Sequence, residues 1–128
     1  MTERITRHKQ DRGDRWRTVE EPENVVAALR ANALAGSTVL LDCLTLWLTN
    51  LMLADRSVDG EARMLADQLP KLDGDVVLVS NEVGMGIVPE NAMARAFRDH
   101  AGRLHQSIAT VADEVYLVAA GLPLKLKG

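Results

Sequence analysis

The sequence predicts an α/β fold, in which a parallel sheet carries helices on both of its faces. Segments 38–43, 76–80 and 114–119 are short apolar runs separated by helical patterns. Their apolar residues do not alternate with polar ones, which is typical of strands buried on both faces of a parallel sheet. Strands that alternate with helices favour the same class. With 128 residues, of which 47% are hydrophobic, the chain is long enough for one domain with its own core.

Four helices are predicted from apolar spacing and from signals at their ends. They cover about 23–35, 44–54, 61–69 and 91–112. Pro22 suits the start of the first helix, Gly36 ends it, and Pro70 stops the third. The last helix has one continuous core stripe, made of Met93, Phe97, Ala101, Leu104, Ile108 and Val111. Trp47, in the strongly apolar second helix, is expected to pack in a core or an interface rather than to stack on a base.

Four shorter segments complete the predicted secondary structure. Residues 2–12 are expected to form a short surface helix or an extended arm, and residues 16–20 a short strand, because their apolar residues alternate. Residues 55–60 are a predicted polar loop, and residues 122–127 add an edge strand after a turn at Gly121.

Charge narrows the class of partner. A net charge of −3 disfavours a general nucleic-acid binder and a membrane-surface binder. Positive charge is nevertheless concentrated in the first 17 residues, at Arg4, Arg7, Lys9, Arg12, Arg15 and Arg17. This segment suits a small anionic ligand such as a nucleotide, or it is a solvated run of charges, and charge alone does not separate the two interpretations.

Cysteine, hydropathy and histidine spacing set further expectations. Cys43 is the single cysteine, so no disulfide forms within the chain; this fits the reducing cytosol and a small buried side chain. The first residues are charged and polar, so no signal peptide is expected, and no apolar stretch is long enough to span a membrane. His100 and His105 lie five apart on a helix and share no face, so both are expected at the surface or an edge and no metal site is predicted.

Polar residues follow two of the predicted strands. Asn81 and Glu82 end the strand at 76–80, and Gly84 and Gly86 then bracket a tight loop before the last helix. Open α/β sheets bind ligands at the carboxyl ends of their strands, although the glycines could equally serve only to shape the turn. Asp42 ends the strand at 38–43, where it is either a carboxylate near a metal-bound nucleotide or a cap for the next helix.

His8 is the candidate nucleophile of the basic segment. It lies among Arg7, Lys9 and Arg12. Nearby cations lower the pKa of an imidazole and keep it neutral, and they also attract a triphosphate and stabilise charge that develops during attack. A histidine in this setting is a plausible nucleotidyl acceptor. The alternative is a solvent-exposed histidine without a chemical role.

The string Asn-Glu-Val-Gly-Met-Gly-Ile-Val-Pro-Glu-Asn at 81–91 carries a specific resemblance. It resembles the most distinctive motif of the bacterial adenosylcobinamide kinase / adenosylcobinamide-phosphate guanylyltransferases, which assemble the nucleotide loop of cobalamin. Similar residues continue at 94–95, 97–99, 101–103, 112–115, 117–118 and 121, and near the start at 4–5, 8, 16–18 and 20. The resemblance therefore runs along nearly the whole chain.

The resemblance implies a P-loop NTPase (RecA-like) fold and two reactions. The enzymes phosphorylate adenosylcobinamide with ATP or GTP, and then transfer GMP from GTP to adenosylcobinamide phosphate through a guanylyl-histidine, with Mg²⁺ to offset phosphate charge. It also implies a cytoplasmic homo-oligomer, often a trimer. Neither nucleic acid nor a membrane is an expected partner.

The same resemblance assigns roles to particular residues. His8 ends an Arg-Ile-x-x-His pattern and is the residue that carries GMP. The positions implied to bind the nucleotide are Lys9, Gln10, Asp11, Arg12, Glu20 and Asp42. Asp42 stands where the family usually has a glutamate, so its contact is expected to be retuned, and Glu20 is otherwise a surface carboxylate. The loop with Asn81, Glu82, Gly84 and Gly86 is expected to face the nucleotide or the corrinoid.

One departure from the family qualifies these expectations. The family opens with a strand, a Gly-x-x-x-x-Gly-Lys-Ser loop and a helix that hold the triphosphate, and this sequence contains no such loop. Residues 1–128 are therefore expected to form a single domain that corresponds to the C-terminal portion of the fold, with the N-terminal strand and P-loop missing. The expected consequences are exposed apolar sheet edges, a marginal or oligomeric protein, and little kinase activity.

Two other interpretations stay open from the sequence. The chain could be a truncated, non-catalytic remnant or an assembly subunit of this family. It could also be a small α/β domain that binds another nucleotide, although the length of the resemblance disfavours that interpretation.

Overall fold

The structure is a computed structural model, and it describes residues 15–87 and 89–128. Its elements in chain order are α1 (Val25–Asn32), β1 (Thr38–Asp42), α2 (Leu44–Leu53), α3 (Val58–Gln68), a 3-10 turn (Leu69–Lys71), β2 (Asp75–Val79), α4 (Ala92–Val111), β3 (Val115–Ala119) and β4 (Leu122–Lys127). The mixed α/β class is confirmed, and the four predicted helices are all present. The predicted extended arm at 2–12 lies outside the described residues.

The strands form two separate pairs. β1 and β2 are parallel, in register from Thr38 with Asp75 to Asp42 with Val79. β3 and β4 form an antiparallel hairpin whose turn contains Ala120 (φ 53°) and Gly121 (φ 74°). The prediction that segment 114–119 joins the parallel sheet is therefore wrong for the described structure. The physical reason is the turn, because two successive residues with positive φ return the chain at once and pair β3 with the strand that follows it.

The core lies between the helices and one face of the β1–β2 pair. Its largest fully buried side chains are Leu48, Leu51, Leu65 and Leu104, and the strand residues packed against this core are Val39, Leu41, Val76 and Leu78. Trp47 is only 3% exposed, and its indole Nε1 donates to the Glu23 carbonyl oxygen at 2.8 Å. The prediction that Trp47 packs is thus confirmed. Met93, predicted to be a core residue, is 69% exposed, so the core stripe of α4 begins at the half-buried Phe97.

The opposite face of the parallel pair is exposed. Burial alternates along both strands, and Leu40, Val77 and Val79 point away from the core. The predictions that these strands are buried on both faces and that helices flank both faces are therefore wrong for the described residues. An unbroken apolar run does not show which of its two faces will be covered, so the sequence pattern could not separate the two cases.

Two boundaries differ from the sequence prediction for local reasons. α3 begins at Val58 rather than at residue 61, because the Ser57 hydroxyl accepts a hydrogen bond from Gly60 N at 3.2 Å and caps the helix. Residues 16–20 form no strand; no neighbouring strand pairs with them in the described structure, and the Arg17 guanidinium donates instead to Asn32 Oδ1. The predicted loop at 55–60 is correspondingly shorter.

Candidate functional site

The carboxyl ends of β1 and β2 meet at one edge, because the strands are parallel and in register. Asp42 is the last residue of β1, and Ser80 and Asn81 follow β2. Thr45, in the first turn of α2, links the two ends: its Oγ1 accepts from Asn81 N at 3.4 Å and from Asn81 Nδ2 at 3.2 Å. The structure therefore places Asn81 at the end of β2, beside Thr45 of α2.

Thr45 is a polar residue within an otherwise apolar core, with 6% of its surface exposed. A hydroxyl can donate one hydrogen bond and accept two. The two N–H groups of Asn81 use the acceptor positions, and the hydroxyl oxygen also lies 3.3 Å from Cys43 Sγ, a contact in which either atom can be the donor. The amide oxygen of Asn81 makes no hydrogen bond to the described residues and is available to a ligand. Cys43 itself is half-buried.

Ser80 and His105 form a second contact at this edge. Ser80 Oγ lies 2.6 Å from His105 Nε2, and both residues are half-buried. The expectation of an edge position for His105 is met, but its partnership with a strand end was missed. Sequence spacing carries no signal for it, since 25 residues separate the two side chains.

The loop after β2 is closed by its own side chains and by α4. Glu82 Oε1 accepts from Gly84 N at 2.6 Å, and Arg98 Nη2 donates to the Gly84 carbonyl oxygen at 2.7 Å. A Cβ at Gly84 would lie 2.9 Å from Glu82 Oε1, the end of an exposed and flexible side chain that can move aside. A Cβ at Gly86 would meet nothing within 4 Å, and neither glycine has a φ in the left-handed region. The described surroundings therefore do not require glycine at either position.

A cleft of about 430 Å³ lies between this loop and α4. We call it the α4 cleft; its lining residues are Gly84, Arg98, Asp99, Gly102, Arg103 and Gln106. Arg103 donates hydrogen bonds to two side chains that do not line the cleft: Nε donates to Asp59 Oδ1 at 3.3 Å, and Nη2 donates to His100 Nδ1 at 2.8 Å. No pattern in the sequence singled out this cleft, because its residues come from two elements that only packing brings together.

The remaining predicted site residues are placed as follows. Asp42 is exposed at the end of β1, and α2 has no side-chain cap, so the alternative that Asp42 caps this helix is wrong. Glu20 is exposed and precedes α1. The predicted nucleophile and its neighbours lie outside the described residues: His8, Lys9, Gln10, Asp11 and Arg12. Within residues 15–87 and 89–128, no three His, Cys, Asp or Glu side chains gather as metal ligands would.

Comparison with known proteins identifies the family. The family described as "Cobinamide kinase / cobinamide phosphate guanyltransferase" matches residues 1–126. Over its full length the chain is 48% identical to the bifunctional adenosylcobalamin biosynthesis protein CobP of Pseudomonas aeruginosa, of which it covers 75%. Over 99% of its length it is 40% and 38% identical to the proteins named CobU of Salmonella typhimurium and Escherichia coli, and it covers 78% of each. The chain therefore belongs to the cobinamide kinase / cobinamide phosphate guanyltransferase family.

Proposed function

We propose that this protein acts in the assembly of the cobalamin nucleotide loop, as a kinase of adenosylcobinamide and as a guanylyltransferase to adenosylcobinamide phosphate. The observation that carries the proposal is the similarity to proteins of adenosylcobalamin biosynthesis, which extends over the whole chain at 38–48% identity. The polar strand ends at Asp42 and Asn81 support it, because parallel α/β sheets bind nucleotides at such an edge. We also propose a P-loop type of nucleotide-binding fold for the family domain.

The guanylyl transfer proceeds in two steps at a histidine. His8 Nε2 or Nδ1 attacks the α-phosphorus of GTP, a phosphorus–nitrogen bond forms, and pyrophosphate leaves. A phosphate oxygen of adenosylcobinamide phosphate then attacks the same phosphorus, the phosphorus–nitrogen bond breaks, and the imidazole is released. In this proposal the cationic side chains of Lys9 and Arg12 stabilise charge on the phosphate, and Gln10 and Asp11 contribute nucleotide contacts.

The proposed kinase step transfers the γ-phosphate of ATP or GTP to a hydroxyl of adenosylcobinamide, and residues 1–128 by themselves should show little of it, because they contain no Gly-x-x-x-x-Gly-Lys-Ser loop. Mg²⁺ would offset phosphate charge in both steps. The Asp42 carboxylate and the Asn81 amide oxygen fit this ion, since Mg²⁺ prefers oxygen ligands and both side chains are exposed at adjacent strand ends. Glu20 is proposed as a further nucleotide contact, while Glu82, with Gly84 and Gly86, shapes the loop on the substrate side.

Assembly and location complete the proposal. Among them, no helix has the length and apolar character that a membrane span requires. We propose a cytoplasmic protein that assembles from copies of itself, as a trimer, and the exposed apolar face at Leu40, Val77 and Val79 is consistent with assembly.

The test is incubation with α-labelled GTP and Mg²⁺, followed by acid and base treatment of the protein. Label that is lost in acid and kept in base identifies a phosphoramidate on histidine, and a chase with adenosylcobinamide phosphate should remove it. His8→Ala should take up no label, whereas His100→Gln, the matched control, should label as the parent does. A folded parent that takes up no label contradicts the guanylyl-histidine mechanism and favours a non-catalytic remnant.

A further inference from the structure

We infer that the α4 cleft binds a single phosphate group, with Arg98 as its main contact, and that this phosphate belongs to the acceptor substrate. The inference rests on the proposed function for the identity of the acceptor. The phosphate site itself is argued from the charge and shape of the cleft.

Arg98 is a half-buried cation for which the described residues supply an incomplete set of partners. Its guanidinium has five N–H donors, and among the described residues it donates to one neutral acceptor, the Gly84 carbonyl oxygen at 2.7 Å. Across the described ranges 15–87 and 89–128, no carboxylate lies within ion-pair distance of it. Burying a charge without a counter-charge is unfavourable, so an anion in the cleft would be bound with a net gain. Guanidinium and phosphate also match in geometry, with two parallel hydrogen bonds.

Gly102 provides a second, independent indication. It lies four residues after Arg98 on the same face of α4, in the interior of a helix of 20 residues. Glycine destabilises a helix interior relative to alanine, yet a Cβ at Gly102 would meet nothing within 4 Å. The packing of the described chain therefore gives no reason for glycine here. Its effect is to leave the helix backbone open on the wall of the cleft, where a ligand can approach closely.

The charges in the cleft favour one phosphate over a triphosphate. Arg98 and Arg103 are cationic and Asp99 is anionic, so the lining carries a net charge of about +1. Arg103 already has a carboxylate partner in Asp59, with Nε 3.3 Å from Oδ1. Asp99 would repel the additional charges of a triphosphate. A phosphomonoester on a large molecule fits this balance, and in the proposed reaction that is the acceptor, adenosylcobinamide phosphate.

The experiment compares equilibrium binding of adenosylcobinamide phosphate, adenosylcobinamide and GMP to the full chain and its variants. We expect Arg98→Met to weaken binding of the phosphorylated corrinoid by about tenfold or more, the loss of a charge-assisted pair, and to leave the unphosphorylated corrinoid unchanged. Arg98→Lys should retain part of the affinity. Arg95→Met is the matched control, since Arg95 lies one turn earlier and is exposed, and its hydrogen bonds within the described part of the chain go to the carbonyl oxygens of Pro89 and Glu90.

A second variant and a second probe separate the possible failures. Gly102→Leu should fill the cleft and weaken the phosphorylated corrinoid without removing any charge. In the parent, titration with inorganic phosphate should shift the NMR signal of Arg98 Nε–H and leave that of Arg95 unchanged, whether or not a corrinoid binds. The inference is overturned if Arg98→Met and the parent bind the phosphorylated corrinoid with equal affinity. It is also overturned if Arg98→Met loses affinity for GMP alone. Labelling of His8 by GTP is independent of this cleft, so failure of the proposed function is seen in that assay.

Discussion

The hydrogen bond between Thr45 and Asn81 gives a quantitative prediction about the strand ends. In Thr45→Val a methyl group replaces the hydroxyl, so the shape is retained and no cavity forms. The variant loses two hydrogen bonds from Asn81, at 3.4 and 3.2 Å, and the contact between the hydroxyl and Cys43 Sγ. Hydrogen bonds contribute roughly 0.5–1.5 kcal/mol each, and these are long. Asn81 is exposed, so water can form part of the hydrogen bonding that its N–H groups lose. We expect the free energy of unfolding to fall by about 1–2 kcal/mol.

Urea unfolding followed by fluorescence of the buried Trp47 measures this change. The matched control is Thr49→Val, one turn later on α2, whose hydroxyl donates only to the Thr45 carbonyl oxygen at 3.1 Å. That carbonyl keeps its helical partner, so the control should lose less than about 0.5 kcal/mol. Thr45→Ser should retain most of the interaction, because it keeps the hydroxyl.

A double-mutant cycle with Asn81→Ala decides whether the hydroxyl acts through this asparagine. If it does, Thr45→Val should cost much less in the Asn81→Ala background than in the parent, with a coupling of about 0.5–1.5 kcal/mol. The reasoning is refuted if the two substitutions are additive, or if Thr45→Val and Thr49→Val cost the same.

Two further predictions concern the ends of helices. Asn91 caps α4, since its Oδ1 accepts from two backbone N–H groups of the first turn at 2.8 and 3.2 Å. Asn91→Ala should lower the unfolding free energy by about 1 kcal/mol, whereas Asn91→Asp should lower it by little. Equal losses for the two variants in urea unfolding would contradict this prediction. Hydrogen bonds from the backbone N–H groups of Asn24 and Glu23 lower the pKa of Glu21 from 4.5. A carboxylate whose pKa is lowered on folding stabilises the fold at pH values above its unfolded pKa, and this contribution is lost as the pH falls through the folded pKa. The difference in unfolding free energy between the parent and Glu21→Gln should therefore shrink below pH 4.5. A difference that stays constant with pH would exclude this role of Glu21.

The helices were predictable because their signals are local. Apolar spacing and end residues placed all four helices within three residues of their observed bounds. The start of α3 was predicted three residues late, because a serine, a glycine and acidic residues resemble a loop until Ser57 is seen to cap the helix. Strand pairing was less predictable. An apolar run such as 114–119 favours a strand, but which strand it pairs with depends on the turn at Ala120 and Gly121.

In the candidate site, too, features set by neighbouring residues were predictable, and contacts between distant residues were not. Asn81 and Gly84 were predictable, because a polar tip and a glycine after a strand are adjacent in sequence. The partners of these residues were not. Thr45 is 36 residues from Asn81, and Arg98 is 14 residues from Gly84, so only the packing of α2 and α4 against the strand end brings them together. Periodicity indicates which face of a helix is apolar, but it does not indicate what a polar side chain on the other face contacts.

The two proposed assignments place the halves of guanylyl transfer in different parts of the chain. Under these proposals, formation of the guanylyl-histidine depends on the basic segment around His8, whereas its discharge depends on an acceptor phosphate held at Arg98. Removal of the Arg98 charge should therefore leave labelling by GTP intact and slow the release of label to adenosylcobinamide phosphate. A contribution of Arg98 to the bound GTP itself would instead slow labelling. The order in which the two half-reactions fail thus identifies which phosphate the α4 cleft holds, independently of any measurement of overall turnover.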